Sequence, residues 1–366
     1  MQENRKVTEQ TLVGTRFLNW IKLLFENRFR ISFRFLPRAF FITFITWIMI
    51  PLVLFDRISF GRKIKRTPIT NPPIFIIGHW RSGTTYLQTL MIQDKQFTYV
   101  SNLHAFLPWV FLGSGKLLSG FISRLLPEKR RMDNIPLRIH SPQEDEYAMA
   151  NITTYSLYHG IAFPRRIHYY SRYLAIDELP TKTIKKWKKA YHTFLKKMTF
   201  ASNGKQLVLK NPTNTFRIKL LLEMYPNAKF IHIYRNPLEV YPSTMLLYTK
   251  MFPYFHLQKP FTMETRREFV FTTYNKMFEK FFKEKDLIPT GNLIEIKYED
   301  FIKEPFNILR EIYQKLNLSG FDTAKDYFNS YLDTQIDFQK NIHELDDDLK
   351  QEISQRWQMT IDTWGY

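Results

Sequence analysis

The chain has 366 residues, 44% of them hydrophobic and 24% charged, with a formal net charge of +19 and no cysteine. That balance excludes a disordered chain, and the missing thiols exclude disulfides, thiolate metal sites and a cysteine nucleophile. The positive excess implies an anionic partner (a phosphorylated cofactor, an acidic membrane surface or a nucleic acid), although surplus lysine also serves solubility alone.

Residues 1–66 read as a basic, aromatic-rich N-terminal arm, and 67–366 as the main domain, with "TPITNPP" marking the boundary. Within the arm, residues 39–55, "AFFITFITWIMIPLVLF", contain no charge and include Pro51. Seventeen residues is the lower edge of a bilayer span. Arg28, Arg30, Arg34 and Arg38 precede the run, and Arg57, Arg62, Lys63, Lys65 and Arg66 follow it. Cations on both sides lack the one-sided bias of a spanning helix and fit a segment lying in the interface of an anionic leaflet. A span, and a buried core or oligomer helix, remain open alternatives.

"IFIIG", residues 74–78, is a continuous apolar run that predicts a central parallel strand buried on both faces. A polar loop follows, then a helix from Thr84 with Leu87, Leu90 and Met91 on one face. Residues 182–198 predict an amphipathic helix with Ile184, Trp187, Tyr191, Phe194, Leu195 and Met198 inward and lysines outward, a solvated face or a lipid contact. "KQLVLKNP" predicts a strand ending at Lys210, "NAKFIHIYRNP" one ending at Arg235, and "NLIEIKYEDF" one ending near Tyr298, each followed by a helical pattern. The expected fold is therefore α/β: a P-loop-like central parallel sheet flanked by helices in three layers, with a helical N-terminal arm. Ligands on such sheets sit beyond the carboxyl ends of the strands, where Arg81, Lys210, Arg235 and Tyr298 all fall.

The loop "GHWRSGTT", residues 78–85, carries two glycines five apart at a strand-to-helix turn. Its backbone N–H groups and the helix dipole make an anion nest, and Ser82, Thr84 and Thr85 add hydroxyl donors. A triphosphate loop needs a lysine directly after the second glycine, and Thr84 stands there instead. Arg81 is the cation of this loop, which suits one phosphate with a charged group beside it.

These residues resemble the 5′-phosphosulfate loop of sulfotransferases that use 3′-phosphoadenosine 5′-phosphosulfate, with Trp80 in the usual proline slot and Arg81 in the basic slot. "NAKFIHIYRNPLEVYPSTM" is similar to the family's 3′-phosphate motif, with Arg235 ending the strand and Ser243 eight residues later. A guanidinium grips a phosphate bidentately and a serine adds one donor. "SPQEDEYA", residues 209–232 and the closing "LKQEISQRWQMTIDTWGY" resemble a bacterial-type branch, so the resemblance covers about residues 70–366.

The resemblance implies in-line transfer of a sulfuryl group from that donor to an acceptor, without a metal. It places the donor on Arg81, Ser82, Gly83, Thr84, Thr85, Arg235 and Ser243, while Tyr298, at the end of its strand, reads equally as a ring packed on the adenine and as a core tyrosine. Arg81 and Lys210 would stabilise the leaving phosphate, Lys210 by its match to a lysine of tyrosylprotein sulfotransferases. Three groups compete as general base. Glu144 comes first, because the branch carries the same "PQEDE" string; the run Glu144–Asp145–Glu146 also reads as a plain helix-capping cluster. His104 falls near the acid of tyrosylprotein sulfotransferases, where this chain has Asn102, a departure that speaks against peptide tyrosine as acceptor. His79 is third, and Lys340 and Asn341 lie where some members close over the 3′-phosphate.

The expected acceptor is a lipid or amphiphilic alcohol, favoured by the aromatic arm, with residues 97–200 left to shape its pocket. A P-loop kinase and a non-catalytic binder of anionic membrane are the alternatives, and no nucleic-acid recognition motif is present. Absent thiols and the basic arm suit a cytoplasmic protein, peripheral at the inner membrane face, with a homo-oligomer left open.

Overall fold

Ile74–Ile77 form β1, and all four side chains are fully buried, as a continuous apolar run demands. Four more strands pair with it or beyond it: β2 (Phe97–Thr98), β3 (Gln206–Lys210), β4 (Lys229–Tyr234) and β5 (Leu293–Lys297). All are parallel, in the order β2-β3-β1-β4-β5. The computed structural model describes residues 7, 10–125, 137–335 and 344–366, so Lys340 and Asn341 lie outside the described residues.

Period-two alternation gives the sheet two buried faces. Ile74, Ile76, Val208, Ile231, Ile233, Ile294 and Ile296 point to one face, against Leu87, Leu90, Leu309, Ile312 and Phe328 from helices Thr84–Met91, Pro305–Lys315 and Phe321–Asp333. On the other face Phe75 meets Tyr225 and Phe230, and His232 meets Phe281 of the helix Met263–Glu284 at 3.9 Å between ring centres. The result is a three-layer α/β fold. Truncating Ile76 to alanine would cost about 2–5 kcal/mol by opening a cavity between those layers.

The three predicted strands after "IFIIG" form as read, and two boundaries shift. Tyr298 opens a helix, Tyr298–Lys303, directly after β5. Between β3 and β4 the helix starts late, at Ile218, because Pro212–Phe216 form a 3-10 turn capped by the Asn211 side chain. The short edge strand β2 carries no sequence signal of its own, since two residues cannot show a period.

The chain divides into two units: Met1–Thr70, Tyr99–Gly204 and Thr249–Phe261 in the first, and Asn71–Thr98, Lys205–Tyr248 and Thr262–Tyr366, with the whole sheet, in the second. The first is helical. Its helix Thr181–Ala201 buries Trp187, Tyr191, Phe194, Leu195 and Met198 as the periodicity predicts. Lys197 breaks the lysine-out pattern, because its ammonium bonds Asp56, Pro108 O and Trp109 O at 2.9–3.0 Å. The apolar run 39–55 is shared by two helices, Leu36–Ile48 and Ile50–Arg66. Pro51 does not interrupt a helix; it stands in the first turn of the second one, where a missing N–H costs nothing.

Candidate active site

Parallel pairing sets the carboxyl ends of the strands side by side. Ile76 of β1 is in register with Lys210 of β3, and Ile77 with His232 of β4, so Lys210, Gly78 and Arg235 emerge along one edge of the sheet. The strand order reverses direction around β1, the position where open α/β sheets bind ligands.

Two glycines let the loop turn there. Gly78 has φ 139°, and a Cβ on it would meet Ile233 O at 2.3 Å. Gly83 has φ 96°, caps the helix Thr84–Met91, and has no room for a Cβ because the Tyr298 ring lies 2.3 Å from where one would sit. The loop is tied down inside. Gly78 N–H donates to Thr215 Oγ1 (2.9 Å), and the Ser82 hydroxyl donates to His79 O (2.7 Å). Ser82 thus braces the loop from within, and the donors left to face an anion are the N–H groups of Gly83, Thr84 and Thr85 at the start of the helix, since Tyr86 N–H already bonds Gly83 O.

Arg81, between the glycines, adopts a left-handed backbone, φ 71°, an uncommon conformation for a non-glycine residue. Its Nε donates to Ser243 Oγ (2.9 Å), and its carbonyl accepts from Arg235 Nη1 (3.1 Å). The loop cation is therefore joined to both Arg235 and Ser243. Arg235 also pairs with Glu239 through Nε (3.1 Å) and Nη2, and its guanidinium lies 4.5 Å over the Tyr298 ring. Tyr298 is buried in the sheet core between Gly83 and Arg235, so its observed work is to support both. Lys210 is buried at the tip of β3.

The closing segment braces this edge from behind. Trp357 stacks on Tyr274 at 3.7 Å, and the His79 ring packs against both. His79 Nδ1–H donates to Trp80 O (2.7 Å), and burial lowers its pKa to about 4. The ring is neutral near pH 7 and shapes the loop. Glu299 accepts from Asn236 N–H (3.0 Å) and from the Tyr366 hydroxyl (2.6 Å), linking the residue after Arg235 to the C-terminus.

The remaining candidates belong to the first unit. The run Glu144–Asp145–Glu146 opens the helix Asp145–Ile152, but Glu144 makes no side-chain capping bond. The three carboxylates part company instead: Tyr158 donates to Glu144, Tyr191 to Asp145 (2.6 Å) and Ser156 to Glu146 (2.6 Å). Asp145 and Glu146 are fully buried and Glu144 is half-buried. His104 accepts from Ser101 N–H at 3.1 Å in a capping box and has a backbone hydrogen bond to Tyr99. Burial, helped by His140 and Lys197, lowers its pKa to about 4. Nδ1 is taken up by Ser101, whose N–H and hydroxyl both lie at 3.1 Å, which fits structural support better than proton transfer. Asn102 accepts from Gln143 (2.9 Å) and donates to Arg138 O (2.7 Å), fixing the segment before Glu144.

A model of the sulfotransferase family matches residues 72–323. The chain belongs to the sulfotransferase family. It is 35% identical over 354 residues, 97% of this chain and 90% of the relative, to the omega-hydroxy-beta-dihydromenaquinone-9 sulfotransferase Stf3 of Mycobacterium bovis. Two solved sulfotransferases share the fold: STF9 of Mycobacterium avium (TM-score 0.68, 15% identity, 84% of this chain and 81% of that one) and STF1 of Mycobacterium tuberculosis H37Rv (TM-score 0.62, 16% identity, 94% and 93%). Glu239, Thr215 and Tyr158 join these hydrogen-bond networks, and sequence reasoning did not single them out. Glu239 was within reach, one helical turn after Arg235; Thr215 lies 137 positions from Gly78, and nothing in the sequence links the two. Among the described residues, no group of three or more His, Asp or Glu side chains is placed to hold a metal ion.

Proposed function

We propose that the chain moves a sulfuryl group from 3′-phosphoadenosine 5′-phosphosulfate to a hydroxyl of a lipid-like acceptor. The observation that carries this is the joining of Arg81, Arg235 and Ser243 at the strand ends, two anion stations built as one network. The cradle fits the donor: two glycines with no room for a Cβ, a helix N-terminus and two guanidinium groups answer its two phosphorylated ends. Gly83, Thr84 and Thr85 would hold the 5′ end, Arg235 and Ser243 the 3′-phosphate.

The donor supplies the sulfuryl group and a phosphate leaving group. In an in-line displacement the acceptor oxygen forms its bond to sulfur as the bond from sulfur to the phosphate oxygen breaks, and the hydroxyl proton leaves to a base. Arg81 and Lys210 stabilise the charge growing on the leaving phosphate, an effect largest away from water. Glu144 is the base this reading favours, with the Tyr158 hydroxyl orienting its carboxylate. The lipid-like acceptor is supported by the relative, whose name gives a menaquinone-derived substrate.

Calorimetry with 3′-phosphoadenosine 5′-phosphate, against ATP–magnesium, tests the donor. The bisphosphate should bind in preference, and Ser243→Ala and Arg235→Ala should weaken it, the second by tenfold or more, roughly the loss of one charge-assisted pair. Preference for ATP–magnesium, or normal binding by Arg235→Ala, would turn the reading toward a kinase.

A further inference from the structure

One helical stretch among the described residues, Phe33–Arg66, is long and apolar enough to cross a membrane. Its two sides differ. Arg38, Ala39, Ile42, Thr46, Asp56 and Ile64 are buried in the first unit, all along the stretch. Arg38 donates to Pro253 O and His256 O at 3.2 and 3.0 Å near one end. Farther along, Asp56 pairs with Lys197 at 2.9 Å and accepts from Gly113 N–H at 3.1 Å. The opposite side is bare: Phe40 is 70% exposed, Trp47 59% and Ile58 80%, with Phe44, Leu54 and Phe55 about half exposed.

A spanning helix would carry these attachments into hydrocarbon, including a buried ion pair and the non-helical carbonyls of Pro108 and Trp109 that Lys197 serves. It would also have to drag one cationic end across. Arg28, Arg30 and Arg34 at one end, and Arg62, Lys65 and Arg66 at the other, are all exposed.

We propose that helices Leu36–Ile48 and Ile50–Arg66 lie flat in the interface of an anionic leaflet. Phe40, Phe44, Trp47, Phe55 and Ile58 enter the acyl boundary, and both cationic ends rest on headgroups. Charge complementarity commits the face to anionic lipid rather than to a second copy, which would bring the same cations against one another. The inference is independent of the donor and of the acceptor chemistry.

Flotation of the full chain tests it, using vesicles of phosphatidylcholine with and without phosphatidylglycerol. Binding should require phosphatidylglycerol, weaken with salt, and fall about tenfold or more in the double variant Phe40→Ser/Trp47→Ser, whose sites are exposed and outside the core. The absence of cysteine allows a second readout. Arg34→Cys and Lys65→Cys, each bound to sealed vesicles, should both react with a membrane-impermeant maleimide added outside. Reaction of only one would mean a span. Equal binding to both vesicle types, no effect of the double variant, or a soluble dimer that the double variant dissociates would each overturn the proposal.

Discussion

Two polar runs behave in opposite ways. In the loop from Gly78 to Thr85, side chains and main chain draw together with residues more than 150 positions away, and Arg81 ends up bonded to both Ser243 and Arg235. In Glu144–Asp145–Glu146, three adjacent carboxylates separate onto three different hydroxyls. The cause is geometry. Parallel strands in register deliver their ends to one edge, so distant residues meet there. Successive residues entering a helix point about 100° apart, so neighbours in sequence do not share a site.

The sharpest way to break the comparison is at the loop. Arg81→Ala should lower the sulfuryl-transfer rate about 10²–10³-fold, the usual effect of removing one preorganised cation or donor. Steady-state kinetics checks this, and a far smaller loss would leave Arg81 as a loop brace through Ser243 alone. The carboxylates offer the next largest contrast. Glu144→Gln should cut kcat about 10²-fold with little change in melting temperature. Asp145→Asn, one residue on and fully buried, should lower the melting temperature and leave kcat of the folded enzyme close to normal. Equal kinetic losses at both positions would remove Glu144 from the role of base.

The smallest effect is set by pH, through one histidine of the loop and one outside both runs. His79 and His104 have folded-state pKa values of about 4, below the 6.5 of an unfolded histidine, with burial as the main cause. Between those values the unfolded chain binds more protons, so stability is complete above about pH 6.5 and is lost as pH falls toward 4. At pH 5 each ring costs on the order of 1–2 kcal/mol. Thermal melts at pH 7.5 and 5 should show the drop, and His104→Gln should relieve part of it. A melting temperature indifferent to pH would mean the rings are not held neutral.

Much of the sheet was legible because continuous apolar runs followed by glycine or asparagine–proline can hardly be anything but buried parallel strands. The run 39–55 was legible only as apolar. Which of its sides is covered could not be read there, and that was decided by Arg38 and Asp56 reaching partners far along the chain. Tyr298 was placed at a strand end correctly, but its packing between Gly83 and Arg235 could not be read, because it needs the separation of two strands and the loop between them.

By itself the sequence determined the parallel α/β layout, the glycine-hinged loop between β1 and its helix and the family, since each rests on local period, local turn chemistry or a short motif. Tertiary structure alone decided that Ser82 and His79 brace the loop, that Arg81 is tied to Arg235 and Ser243, and that Lys197 turns inward. Those outcomes depend on pairing between distant segments, where the cost of leaving a buried polar group unbonded selects one partner among many.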